Sequence, residues 1–167
     1  MSEFKQDPGV IVGAARTPMG GFQGDFASLA AHDLGGAAIK AAVERAGVSP
    51  DLVTEVLFGN CLMAGQGQAP ARQAAFKGGL PISAGAVTLS KMCGSGMKAA
   101  MMAHDMLLAG SHEVMVAGGM ESMTNAPHLL PQGPQRHPHR ARPGDGPHDA
   151  RWPGRRLRSG PLHGHLW

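Results

Sequence analysis

The sequence is poor in cysteine: Cys61 and Cys93 are the only two in 167 residues. Two cysteines make no disulfide framework in a chain of this size, so each is expected to be a free thiol, either a small packing residue or a reactive group. No apolar run approaches the roughly 20 residues that span a bilayer. The opening segment, Met1 to Pro8, lacks the apolar stretch of a signal peptide. No membrane association is therefore expected, and a cytoplasmic location is the default. No group of His, Cys, Asp and Glu has zinc-site spacing. Gly94-x-Gly96 is followed by Ala99 where a dinucleotide fingerprint would place its third glycine. Neither a bound metal nor a dinucleotide cofactor is expected.

Apolar residues make up 43% of the chain, enough for a domain with a buried core, and 25 glycines point to many turns and close backbone approaches. The net charge of +3 hides two regimes. Residues 1–131 carry 8 basic and 10 acidic side chains, whereas residues 132–167 carry 7 arginines, no lysine and 2 aspartates. The second stretch also has no Ile, Val, Phe or Met, and holds both tryptophans, Trp152 and Trp167. The sequence thus divides into a body, 1–131, and a tail, 132–167.

The body alternates strand and helix patterns. Val10 to Ala15 reads as a buried strand, ended by Arg16-Thr17-Pro18. A helix is predicted from about Ser28 to Ala46, with Leu34, Ile39 and Val43 at helical spacing and Gly47 as the stop. Val53 to Leu57 reads as a second strand, Ala69 to Lys77 as a short helix, and Ala86 to Leu89 as a third strand. Gly96 to Ala109 reads as a long helix closed by Gly110, and Glu113 to Ala117 as a fourth strand. This alternation predicts an α/β layered fold with a mostly parallel sheet. In such sheets function gathers at the carboxyl ends of the strands.

Cys93 occupies one of those positions. In Ser90-Lys91-Met92-Cys93-Gly94-Ser95-Gly96-Met97-Lys98, a strand arrives, the cysteine sits at the bend and a helix leaves. The positive end of the helix and its free N–H groups favour a thiolate there. Gly94 and Gly96 permit a tight turn and leave room for a substrate. A nucleophilic thiol suits acyl transfer, and the nearby backbone N–H suits an oxyanion formed on a thioester. A structural cysteine beside a glycine-rich turn satisfies the same local pattern, and these residues alone leave both open.

Cys93-Gly94-Ser95-Gly96-Met97-Lys98-Ala99 resembles the nucleophile motif of thiolases. Four further segments resemble the same family in the same order. They are Val12–Pro18, Gly59–Gln68 with Pro70-Ala71-Arg72-Gln73, Ala103-His104-Asp105, and Gly118-Gly119-Met120-Glu121-Ser122-Met123-Thr124. Together they span most of residues 10–131, and the wording is nearest to the acetyl-CoA acetyltransferase branch. The resemblance implies a thiolase-like layered fold, of which the body supplies the N-terminal half. It implies reversible condensation of two acetyl-CoA to acetoacetyl-CoA, with Cys93 accepting the acyl group and its backbone N–H in the oxyanion hole. Coenzyme A thioesters would be substrates, no cofactor would be bound, and the full-length family is oligomeric. A 3-ketoacyl-CoA thiolase of fatty-acid degradation, or another condensing enzyme of the fold such as a ketoacyl synthase, is the alternative.

The family also needs an activating His and a second, acid–base Cys, which lie in later motifs that do not occur in this sequence. His104, His112 and His128 do not match them, and the body alone is expected to be inactive in turnover. Cys61 reads as a packing residue, Arg72 and Gln73 as bordering the site, holding a subunit contact or purely structural, and Glu121 as a helix or loop cap with no catalytic role. The methionines Met92, Met97, Met101, Met102 and Met106 read as core and interface filling.

The tail admits three readings: a disordered basic segment, an Arg-rich nucleic-acid patch, or translation in a shifted frame. Reading from the second base of each codon, 147–159 permit a His-Met-Met-Leu-Asp-Gly-Leu stretch similar to the family's next segment. The expectation is therefore an out-of-frame, unstructured tail with no nucleic-acid role.

Overall fold

The computed structural model describes residues 9–129. What was expected of 132–167, the loss of structure and the shifted frame, lies outside the described residues.

Helix α1 runs Ala31–Ala46 and helix α2 Pro70–Lys77; helix α3 runs Ser95–Leu108. Strand β1 is Glu55–Gly59, β2 is Gly85–Leu89 and β3 is Met115–Gly119. The three strands form one parallel sheet in the order β2-β1-β3. The helix stops are the glycines that the sequence offers: Gly47 closes α1 at φ 63°, and Gly110 follows α3 at φ 73°. These are left-handed conformations that cost glycine little.

Central β1 is buried from Val56 to Gly59. Alternation along it divides the core into two layers. Val56 and Phe58 join Ile39 of α1 and Ala71 and Ala74 of α2 on one side. Leu57 meets Ala99 and Ala103 of α3 on the other, with Met102, Met106 and Leu89 packed around them. The result is helix, sheet and helix, as the α/β pattern requires. Val56, Leu57 and Phe58 are 0, 1 and 3% exposed, so each contributes about 1.5–3 kcal/mol of burial.

An ion pair joins the first layer. The ammonium of Lys77 at the end of α2 pairs with Asp33 in the first turn of α1. Asp33 Oδ2 also accepts from the Ala30 amide at 2.9 Å, capping α1 without help from the Ala30 side chain. The Lys77 hydrogen bond holds the Asp33 carboxyl below the ordinary carboxylate range. Burial lowers the neighbouring His32, and Lys77 pushes it the same way.

One expected strand is absent. Residues 9–20 carry no strand, and Val10, Ile11 and Val12 are 75, 92 and 60% exposed. The segment is tethered to α1, where Arg45 Nη1 donates to the Ala14 carbonyl at 2.9 Å. It faces β3 across a cavity of about 840 Å³ lined by α1, α3 and β3. A strand requires a backbone ladder, and among the described residues β3 pairs with β1 alone. The expected buried strand is therefore neither a strand nor buried, because among the described residues its backbone meets no partner. The methionines also divide: Met102 and Met106 pack inward, whereas Met92, Met97 and Met101 are exposed.

Candidate active site

Three loops meet at the carboxyl ends of the three strands: Asn60-Cys61-Leu62 after β1, Lys91 to Gly94 after β2, and Met120-Glu121 after β3. The backbone joins them first. The Asn60 amide donates to the Leu89 carbonyl at 3.0 Å, and the Met120 amide to the Gly59 carbonyl at 2.9 Å.

The middle loop carries Cys93, whose side chain is exposed, directly before the N-cap of α3, Gly94. Met92 makes the bend with φ 49°, a left-handed value that costs a residue with a Cβ about 1–2 kcal/mol. Its carbonyl oxygen accepts from the Ser95 amide at 3.1 Å, the Ser95 hydroxyl at 2.7 Å and the Cys61 thiol at 3.0 Å. The Ser95 Oγ also accepts from the Lys91 amide at 2.7 Å, and the Gly94 amide donates to the Lys91 carbonyl at 3.1 Å. Ser95 is thus 5% exposed and bonded to both residues that lead into Cys93. Gly59 lets α3 come this close: a Cβ there would meet the Ser95 Cβ at 2.6 Å and the Gly96 amide nitrogen at 2.8 Å.

The flanking loops are held by one carboxylate. Glu121 accepts from the Asn60 side-chain amide at 2.6 Å, the Cys61 backbone amide at 2.8 Å and the Leu62 amide at 3.0 Å. Asn60, 1% exposed, also donates to the Met120 carbonyl at 3.3 Å. Glu121 is a loop cap, as expected, but the loop it caps is the one after β1, 60 positions away. Nothing local in Gly-Gly-Met-Glu-Ser-Met signals that contact. Asn60 and Ser95 were missed as members of the network for the same reason.

The other candidates lie elsewhere. Arg72 donates to the Ala84 carbonyl at 2.7 Å and the Ile82 carbonyl at 2.8 Å, with its guanidinium 4.7 Å from the Phe76 ring centre. Gln73 donates to the Gln66 and Gln68 carbonyls at 2.8 and 2.7 Å. Both act as braces for α2 and its flanking loops. His112 lies before β3, at the opposite end of the parallel sheet from Cys93, bonded to Thr54 Oγ1 at 2.8 Å. His104 lies about 14 Å along α3 from Ser95 and 3.6 Å from Asp105. Neither stands beside the thiol. Among the described residues no group of three or more His, Cys, Asp or Glu could hold a metal ion, and no helix is long and apolar enough to cross a membrane.

The profile of the family described as thiolase, N-terminal domain, matches residues 9–145, running past position 131 where the composition changes. The chain is 57% identical over 124 residues to acetyl-CoA acetyltransferase B, mitochondrial, of Xenopus laevis, a match covering 74% of this chain and 30% of that protein. It is 56% identical over 122 residues to the acetyl-CoA acetyltransferase of Cupriavidus necator, covering 73% and 31%. Among solved structures, the Acat5 thiolase of Ascaris suum in complex with coenzyme A is similar with a TM-score of 0.72 and 40% identity, over 74% of this chain and 32% of that one. The chain spans about a third of the length of the relatives it matches.

Proposed function

The chain belongs to the thiolase family, matching its N-terminal domain, and on that premise we propose that Cys93 is the nucleophile of an acetyl-CoA acetyltransferase. The placement of Cys93 carries the reading. It is the one exposed thiol among the described residues, it sits at the carboxyl end of a parallel strand, and it heads a helix of 14 residues. The half-reaction is simple. The Cys93 sulfur attacks the thioester carbonyl of acetyl-CoA, the tetrahedral oxyanion collapses, and coenzyme A leaves as its thiol, giving an acetyl-cysteine. The Cys93 backbone N–H faces the oxyanion in this reading. In the whole enzyme a second acetyl-CoA would then take the acetyl group to give acetoacetyl-CoA.

The relatives from Xenopus laevis and Cupriavidus necator support acetyl over longer acyl groups, since both are named acetyl-CoA acetyltransferases. A 3-ketoacyl-CoA thiolase stays as the second reading. We also place the full-length protein in a homo-oligomer, to be checked by sizing, and this chain in the cytoplasm, to be checked by fractionation. Neither His104 nor His112 stands where it could relay the Cys93 proton, so one acylation event without turnover is expected.

The test is release of free coenzyme A from acetyl-CoA by the purified chain. One equivalent of thiol per chain, absent in Cys93→Ser, is expected. Release that is equal in Cys93→Ser excludes Cys93 as the nucleophile. Faster release from longer acyl-CoA than from acetyl-CoA would favour the second reading.

A further inference from the structure

We propose that Glu121 is a positioning residue for Cys93 and that it acts through the side chain of Cys61. The inference rests on Cys93 being the nucleophile, and extends it to residues from all three strand ends.

Met92 is the constrained point of the site. Its φ of 49° is left-handed, and its side chain is 73% exposed, so packing does not hold it there. Hydrogen bonds to its carbonyl oxygen do. Two come from Ser95, through the amide at 3.1 Å and the hydroxyl at 2.7 Å, and so from the helix that Cys93 precedes. The third comes from outside the loop, from the Cys61 thiol at 3.0 Å. The same sulfur lies 3.4 Å from Ser95 Oγ. Cys61 is therefore the strut that fixes the peptide leading into Cys93 relative to the sheet.

A thiol is a weak donor, and its direction is set by its backbone. That backbone is clamped: Glu121 receives the Cys61 amide at 2.8 Å and the Leu62 amide at 3.0 Å. The carboxylate is held in turn by the buried Asn60 side chain at 2.6 Å. The path from β3 to the nucleophile is short: Glu121 carboxylate, Cys61 amide, Cys61 thiol, Met92 carbonyl, Cys93. A wall residue at position 61 would need only volume. A strut needs a donor, and serine can supply one where valine cannot.

The experiment measures the rate of Cys93 alkylation by iodoacetamide in the purified full chain, beside the melting temperature. Trypsin releases Cys93 in the peptide Met92–Lys98, separate from the Cys61 peptide. Cys61→Val and Glu121→Ala are expected to slow Cys93 alkylation about threefold to tenfold, the worth of one hydrogen bond. Cys61→Ser, which keeps a donor, is expected to stay near the unmodified rate. The double variant Cys61→Val/Glu121→Ala should be no slower than either single one, because both cut one path. The inference is overturned if Cys61→Val lowers the melting temperature but leaves the Cys93 rate unchanged, if Cys61→Ser is as slow as Cys61→Val, or if the two effects multiply. Should Cys93 of the unmodified chain react no faster than a free cysteine, the nucleophile reading itself falls and takes the strut with it.

Discussion

At the scale of single residues, two kinds of position behave differently. Cys93 stands out as a candidate because its signal is local: a cysteine between a strand and a helix, followed by Gly-Ser-Gly. The residues that hold it do not. Glu121 reaches Cys61 and Leu62 across 60 and 59 positions, and a sequence pattern does not record which distant amides a carboxylate will meet. Ser95 lies inside the motif, and nothing local shows that its hydroxyl accepts from the Lys91 amide and donates to the Met92 carbonyl. Ser95 itself is 5% exposed, so removing its hydroxyl takes an enclosed acceptor away from the Lys91 amide, a loss of roughly 0.5–1.5 kcal/mol. Ser95→Ala should therefore lower stability by about that amount in urea unfolding and slow Cys93 alkylation as well. A loss of stability with no change at Cys93 would separate the hydroxyl from the nucleophile.

At the scale of elements, the three helices and three of the four expected strands follow from glycine stops and apolar spacing. The strand that failed to form, Val10 to Ala15, shows what such reading omits. Its apolar run is real, but a strand is a relation between two backbones, and the partner is invisible in the run itself. Gly59 shows the converse, a long-range fit hidden in one small residue. Its missing Cβ admits the first turn of α3, since a Cβ would lie 2.6 Å from that of Ser95. Gly59→Ala must push Ser95 and the start of α3 outward. A loss of about 1–3 kcal/mol is expected from overpacking, together with slower alkylation of Cys93. A variant as stable and as reactive as the parent would mean that α3 is not seated by this contact.

At the scale of the whole molecule, His32 and Asp33 make stability depend on pH. His32 and Asp33 both bind protons less readily in the folded chain than in the unfolded one. The unfolded state therefore takes up more protons, and stability rises with pH. Each contribution is complete above the ordinary range of its group and is lost as pH falls through the lowered folded value, His32 before Asp33. Unfolding midpoints followed from neutral pH downward should fall in that order. Asp33→Asn should flatten the acidic part, and an unchanged slope would remove the Lys77 pair from the account. Exposed Val10, Ile11, Val12, Met97 and Met101 also predict self-association of the purified chain. A monodisperse, cooperatively melting monomer would contradict that. The two thiols stand in different surroundings, Cys61 turned onto a carbonyl and Cys93 exposed at the head of a helix. The most direct measurement is where acetyl groups from acetyl-CoA settle, read peptide by peptide in the folded and the urea-unfolded chain. Label on Cys93 and not Cys61, lost on unfolding, is the predicted result. Equal label on both cysteines, or label that persists in urea, would contradict it.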